Sequence, residues 1–563
     1  MNTKRKNVWM VLGAFLGLVL LNVLASRMVL RIDLTDDQRF SLSDSTITFL
    51  ENLEDDVLVT VYLEGDFPAG FKRLRNSTME ILEEFRSYNP SHFHYRFMDP
   101  FADKTTEEQA EMYQDLVERG LQPTDLNINT ATGMQYKKVF PGALISYRER
   151  ELPVSLLEPQ NGRDPVVVLN QSVERLEYAL ATTLYRLAQF DNRKKVAISV
   201  GHGELPQALM ADFLYQLSDF YQLEGLMLGE DLSLLNPSHS CLILAKPDSM
   251  FKDAEKVAID QYIMQGGSVL WLIDQVYTSM DSLRISKRPF TVAINRELGL
   301  NDMFFHYGFR INYDLVQDAQ CGAIPIVTGM VNNEPKEELL PWFYYPVVIP
   351  DGRHPLVKNT GPIRLEFAST IDTFGLEGVK TDLLLTTSTL SRNLLAPVRV
   401  GLSVATEKPT PERFNKPNLP LAVRLEGTFP SAFEGRIVPL GNRPFKASSE
   451  PGTKMIVVSD GDIAKNKFSA SRREHLPLGA DPAAGIFYPG NMNFLMNCVN
   501  DLTGDGWLVP LRSKQFQIRL LDKNEIRAKG NQWIWACTLL PLAFIGLLGG
   551  VWNWNRRRKF VKG

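Results

Sequence analysis

The sequence predicts an α/β protein: two extracytoplasmic α/β units held between one membrane-spanning helix at each end. Three observations carry that expectation. Buried-strand patterns alternate with helical ones along the body, apolar residues bunch at the two ends, and a β-rich stretch interrupts the second unit. The 563 residues are enough for several domains at roughly 100–200 residues each. With 44% hydrophobic residues the chain can bury large cores, which excludes a disordered or collagen-like class. Lys+Arg 61 against Asp+Glu 65 gives a net charge of −4. A nucleic-acid binder would carry a basic excess or stripe, so no nucleic-acid partner is expected. A mean hydropathy of −0.13 blends a water-soluble body with two apolar ends.

Val8 to Ala25 holds a single polar residue, Asn22, and Trp533 to Trp552 holds no charge. A helix crosses the hydrocarbon core with about 20 apolar residues, so both stretches are long enough. Lys4, Arg5 and Lys6 precede the first, and Arg556, Arg557, Arg558 and Lys559 follow the second. The positive-inside bias therefore puts both termini in the cytoplasm and the body outside it, with the lipid bilayer as a partner. A cleaved signal peptide is the competing reading of the first segment, with Val23-Leu24-Ala25 as a poor cleavage site. Gly546 and Gly550 are spaced to let a second membrane helix approach closely. The resulting organisation is a cytoplasmic tail over 1–7, a transmembrane helix over 8–30 and a first α/β domain over 31–190. A second α/β domain over 191–515 carries a β-rich insertion at about 322–445. A connector over 516–532, a transmembrane helix over 533–553 and a basic cytoplasmic tail over 554–563 complete the chain.

Within the first domain, Ile32 to Leu42 is a polar connector rich in capping residues, and Asp56 to Leu63 is a β-branched run suited to a strand buried on both faces. Phe71 to Tyr88 has helical spacing at Leu74, Ile81, Leu82 and Phe85. His94 to Met98 reads as a strand, Thr105 to Arg119 as a helix and Lys138 to Tyr147 as another strand. Val173, Leu176, Leu180, Leu184 and Leu187 share one face of a helix ending near Phe190. Such alternation implies a mostly parallel sheet.

The charged break Asp191-Asn192-Arg193-Lys194-Lys195 opens the second domain. Val196 to Val200, Cys241 to Ala245 and Val269 to Ile273 read as strands, with helices over Ala208 to Phe220 and Asp253 to Gln265. Ala254, Val257, Ala258, Tyr262 and Ile263 should face inward from the latter, which Gly266-Gly267 stops. This βαβαβ run suits a doubly wound sheet. Strand-like pieces at Trp342 to Ile349, Leu383 to Thr387 and Leu421 to Glu426 mark the insertion. Met455 to Val458 restores a buried strand, and Asn493 to Leu502 is a helix suited to packing back on the sheet.

Gly201-His202-Gly203-Glu204 follows a strand end, where α/β sheets place ligands, and its His and Glu have acid–base and metal-binding chemistry. Asp274, Asp460 and Asp462 also follow strand ends, so acidic groups are expected to gather on that rim. Three readings compete there: structural turn chemistry, a vestigial pocket or interface rim, and a catalytic site. The nucleophile is missing, because no G-x-S-x-G or cysteine elbow occurs. His92 and His94 would share a strand face without a third ligand nearby, so neither a metal nor another cofactor is expected. The absence of G-x-x-x-x-G-K-[ST] means the chain is no P-loop ATPase. Cys241, Cys321 and Cys498 are an odd, widely spaced set outside the apolar ends, with a Cys321–Cys498 bridge as one option.

Three passages carry a family resemblance: Arg39-Phe40-Ser41-Leu42-Ser43, Gly201-His202-Gly203-Glu204, and Gln265-Gly266-Gly267-Ser268-Val269-Leu270 leading to Asp274. In that order, between two anchors, they resemble the GldG type, the gliding-motility-associated auxiliary subunit of an ABC transporter. The resemblance implies a noncatalytic, substrate-binding-type partner of a separate ABC permease and cytoplasmic ATPase in the inner membrane of Bacteroidetes. It implies a link to gliding motility and the associated secretion machinery. It also implies an amidotransferase-like fold for the second unit, from which the missing nucleophile cysteine is a departure. Motion in the permease would reach the body through Arg27 to Leu42 and Arg512 to Gln532. Two other functions stay open: an envelope hydrolase or amidotransferase acting through His202 and Glu204, and a glycan- or protein-binding scaffold with Trp342, Phe343, Tyr344 and Tyr345 as a ridge, although four adjacent aromatics in an apolar strand more often serve as core and edge packing.

Overall fold

The computed structural model describes residues 13, 15, 17, 41–130, 133–158, 165–228, 235–285, 289–331, 334–438, 444–469, 473–513 and 523–560. Apart from residues 13, 15 and 17, the expected first span over 8–30 lies outside these residues, as does most of the connector after it.

Helix α1 (Asp44–Glu51) starts where Ser43 Oγ accepts the Thr46 N–H at 3.2 Å, a side-chain cap for one of the donors every helix start leaves open. Strands β1 (Val57–Val61), β2 (Phe93–Phe97), β3 (Gly142–Tyr147) and β4 (Arg150–Ser155) form one sheet in the order β2-β1-β3-β4. Only β1 and β2 run parallel; β3 is antiparallel to both of its neighbours. The expectation of a mostly parallel first sheet is thus corrected. Arg148 takes a φ of 55° in a two-residue turn between Tyr147 and Arg150, a link that joins only antiparallel strands. The expected single strand over Lys138 to Tyr147 is two. Phe140-Pro141 separates β3 from Gly133–Val139, which pairs with Thr124–Thr130 in a hairpin, because proline has no N–H to give a ladder.

Helices α2 (Ala69–Tyr88) and α4 (Pro165–Ala188) bury Leu74, Leu82, Phe85, Leu176, Leu180 and Leu184 against this sheet. Helix α3 (Thr106–Glu118) opens with a capping box in which Thr105 and Glu108 satisfy each other's backbone N–H.

A seven-stranded sheet follows, built from β5 (Lys195–Val200), β6 (Gln222–Met227), β7 (His239–Ala245), β8 (Ser268–Leu272), β9 (Val379–Thr386), β10 (Pro420–Gly427) and β11 (Thr453–Val458). Its order is β9-β10-β11-β8-β7-β5-β6. The last five in that order are parallel, and β10 and β9 are added antiparallel. Alternate residues of each strand feed opposite cores. Cys241, Ile243, Leu270, Leu272, Ile456 and Val458 meet α5 (Ala211–Ser218) and α7 (Gly490–Leu502) on one face. Leu242, Leu244, Val269, Trp271, Met455 and Val457 meet α6 (Asp253–Met264) on the other. Helix α6 ends in a Schellman motif: Gly267 N donates to Tyr262 O at 3.0 Å, Gly266 N to Ile263 O at 2.9 Å, and Gly266 has a φ of +93°.

The β-rich insertion is corrected at both ends. Strand structure begins earlier, at Val276–Tyr277 and Phe290–Asn295. The expected strands at Leu383 to Thr387 and Leu421 to Glu426 are β9 and β10, full members of the central sheet, with Ala422 beside Val458 and Gly427 beside Thr453. Trp342, Phe343, Tyr344 and Tyr345 are each at most 2% exposed in a separate core under the hairpin Cys321–Val331/Glu334–Val348. An aromatic binding ridge is therefore excluded there. All four cysteines are free, with Cys498 in the α7 core and Cys321 beside the hairpin core, so the Cys321–Cys498 bridge is absent.

Residues up to Gln515 form one compact unit holding both sheets, and Phe516–Gly563 form another. In the latter, α8 (Lys523–Phe560) is one 38-residue helix that contains the expected span over 533–553. Its stretch Gln532–Arg558 is long and apolar enough to cross a membrane, and none of it is buried. A Cβ built on Gly546 or Gly550 meets no atom within 4 Å.

Candidate functional site

The four-residue turn after β5 folds back on itself. Gly201 and Gly203 take φ values of +112° and +70°, a region costly for residues with a Cβ. At Gly203 a Cβ would also fall 1.8 Å from Asp248 Oδ1. The His202 carbonyl accepts from Asp248 N at 2.8 Å and Ser249 N at 3.1 Å, which staples the turn to the loop after β7. Glu204 closes it by accepting from His202 N at 2.7 Å and Ser199 Oγ at 2.5 Å.

His202 is 5% exposed. Its Nε2 lies 3.0 Å from Glu255 Oε2, its Nδ1 lies 3.6 Å from Glu204 Oε1, and its ring stacks on Phe251 at 3.9 Å. Glu204, with Glu255 adding to it, holds the imidazole pKa above its usual range against the opposing effect of burial. Burial pushes the Glu204 carboxyl up, but His202 and Ser199 outweigh it and hold the carboxyl below its usual value. Ser199 gives its proton to Glu204, and the imidazole faces two carboxylates. Among the described residues no hydroxyl or thiol hydrogen-bonds the His202 imidazole, the pairing that acyl transfer would use.

The three strand-end aspartates form a second group on the same rim. Lys246, which follows β7, pairs with Asp274 at 3.0 Å and with Asp462. Asp274 Oδ1 accepts from Gly461 N at 2.6 Å. Asp460, fully buried, accepts from Glu366 N and Asp462 N, both at 2.8 Å. Burial, then Asp274 and Asp462, pushes the Asp460 carboxyl far above its usual range. Burial likewise raises Asp274. Glu366 goes the other way, because Lys467 and Arg364 at 3.2 Å overcome its burial.

Sequence reasoning therefore found Asp274, Asp460 and Asp462, and the structure brings them together. His202 pairs with both Glu204 and Glu255, and among the described residues no hydrogen bond joins His202 or Glu204 to the three aspartates. Lys246, Glu255, Glu366 and Lys467 were missed. Lys246 directly follows a buried strand, so the rule that flagged Asp274 would have found it; Glu366 carries no local signal. The Lys246 ammonium occupies the place between Asp274 and Asp462 that a cation would take. Among the described residues no three His, Cys, Asp or Glu groups are arranged to hold a metal. Burial pushes the Cys321 thiol up to about 12 and raises Cys241 and Cys498 as well, which keeps them from acting as thiolates.

Residues 193–498, more than half of the chain, match the family described as an ABC-type uncharacterized transport system. The chain belongs to that family. Its central sheet, the turn at Gly201–Glu204 and the aspartate rim all fall inside the match, and membership makes the protein an ABC transporter auxiliary component. An auxiliary component of an ABC-type system works with other transporter components. Residues 36–146, which include most of the first sheet, match a domain of unknown function (DUF7088). No curated protein matches the chain. Two solved structures overlap loosely. One is the mmIFT52 N-terminal domain, 12% identical over 58% of this chain and 100% of that one, with a TM-score of 0.31. The other is a putative ThuA-like protein from Parabacteroides merdae ATCC 43184, 13% identical over 55% and 90%, with a TM-score of 0.24. Overlaps this loose carry no functional argument.

Proposed function

We propose that this auxiliary component is a noncatalytic, membrane-anchored subunit whose large body lies outside the cytoplasm and works with a separate permease and ATPase. The observation that carries the reading is helix α8, in which the whole apolar stretch Gln532–Arg558 is unburied. From Trp533 to Trp552 the helix rises ~28 Å at 1.5 Å per residue, close to the ~30 Å of a hydrocarbon core. Trp533, Trp535, Trp552 and Trp554 bracket that length, each more than half exposed, as interfacial tryptophans do. Arg556 and Arg558 stack over Trp552 and Trp554 at 5.5 and 4.2 Å, which suits a cytoplasmic end. Gly546 and Gly550 leave room for a permease helix to approach.

In this reading, Gly201, His202, Gly203, Glu204, Asp274 and Asp460 are a vestigial pocket or interface rim whose charges are spent on one another. The resemblance to the GldG type supports a position in the bacterial inner membrane and a link to gliding motility and the associated secretion. Affinity purification of the tagged full chain from native membrane is expected to bring down one permease and one ATPase. A chain that elutes alone under gentle solubilisation would falsify the proposal.

A further inference from the structure

Away from the rim groups, a cavity of about 630 Å³ opens between the insertion and the start of β10. Such a volume lies in the ~300–1,000 Å³ range of small-molecule sites. Its floor is Asp314, fully buried, whose Oδ1 accepts from Thr370 N at 2.8 Å and whose Oδ2 accepts from Thr370 Oγ1 at 2.7 Å and Asn393 Nδ2 at 2.5 Å. That anchoring turns the Asn393 carbonyl oxygen toward Lys416, whose Nζ donates to it at 2.8 Å. Asn312 Nδ2 donates to Thr370 Oγ1 at 2.9 Å, which leaves one amide hydrogen and the carbonyl of Asn312 to spend. At the mouth, Arg310 and Asp372 pair at 2.7 Å while both stay about half exposed. Leu395, 75% exposed, adds an apolar wall.

The floor is tied to the central sheet. Ser369 Oγ donates to the Asp314 carbonyl at 2.7 Å, and Ser459 Oγ donates to the Ser369 carbonyl at 2.5 Å, one residue before Asp460. The polar wall is thus preorganised before anything binds, which lowers the ordering cost of binding.

We infer that this cavity is a binding site for a short, neutral saccharide. The charges lining it cancel, Arg310 and Lys416 against Asp314 and Asp372, so a net-charged ligand gains little. A sugar hydroxyl donates and accepts at once, and carboxamides offer both functions from one side chain. A vicinal diol fits an Arg–carboxylate pair, and the C–H face of the ring fits Leu395. The inference does not depend on the membrane-subunit reading.

Isothermal titration of the full chain in a sugar-free detergent such as lauryldimethylamine oxide tests it, with maltotriose, cellotriose and chitotriose as probes and citrate and inorganic phosphate as anionic controls. At least one trisaccharide is expected to bind, with affinity about ten-fold or more weaker in Leu395→Trp, which blocks the mouth, and in Lys416→Ala. Both positions are exposed, so an unchanged melting temperature separates lost binding from lost folding. Binding of no trisaccharide, binding of the anions alone, or trisaccharide binding that survives both substitutions would overturn the inference.

Discussion

His202 lies between Glu204 and Glu255, and the raised pKa of its imidazole makes the charged form part of the folded state. That stabilisation is fully present below the unfolded value of ~6.5 and is lost as pH rises through the folded one. Glu204 behaves oppositely: its lowered pKa contributes above ~4.3 and is lost as pH falls through the folded value. Both terms are complete between about pH 4.5 and 6.5. His202→Gln removes a cation that faces two buried carboxylates, so a loss of about 3 kcal/mol is expected in that window. Calorimetric melting against pH should show the gap to the parent chain shrinking toward alkaline pH; a gap independent of pH would refute the charged-histidine account. Glu255 entered this group without any sign in its neighbourhood, since it reads simply as the third residue of a helix. Its partner is 53 residues away, and no local pattern reports such a distance.

At the scale of elements, the stop of α6 was legible and its surroundings were not. Gly266-Gly267 announces a helix end, and the Schellman bonds form there. Gly267 is also required for space, because a Cβ would sit 2.3 Å from the Tyr262 ring, itself 1% exposed. Gly267→Ala should therefore cost about 1–3 kcal/mol through overpacking, read as a lower denaturant midpoint with an unchanged slope. Sequence periodicity gives α6 a single inward face, yet Lys256, Asp260 and Gln261 are buried as well. Segments before β9 and after β10 lie over the outer face: Tyr307 Oη, Ser431 Oγ and Ala432 N all donate to Asp260, at 2.9, 2.7 and 2.9 Å. A polar residue reads as exposed until the layer covering it is known. The antiparallel turn at Arg148 escaped for a related reason, since strand direction depends on which partner the turn delivers.

At the scale of the whole molecule, the proposed topology predicts a cytoplasmic C-terminus. A Gly563→Cys chain should resist a membrane-impermeant maleimide in intact spheroplasts and react after lysis, as read by gel shift; labelling before lysis would reverse the orientation. Composition and periodicity determined much by themselves: an α/β class, four of the five parallel strands of the central sheet, an apolar C-terminal helix and the absence of a P-loop. These depend on neighbouring residues and on apolar counts, which a linear text displays. Only the tertiary structure decided that β9 and β10 complete the central sheet, that Trp342 to Tyr345 are core, and that Asp274 and Asp462 share Lys246 as a partner. Each depends on which distant segments meet, and burial then fixes the charge and accessibility of the groups caught between them.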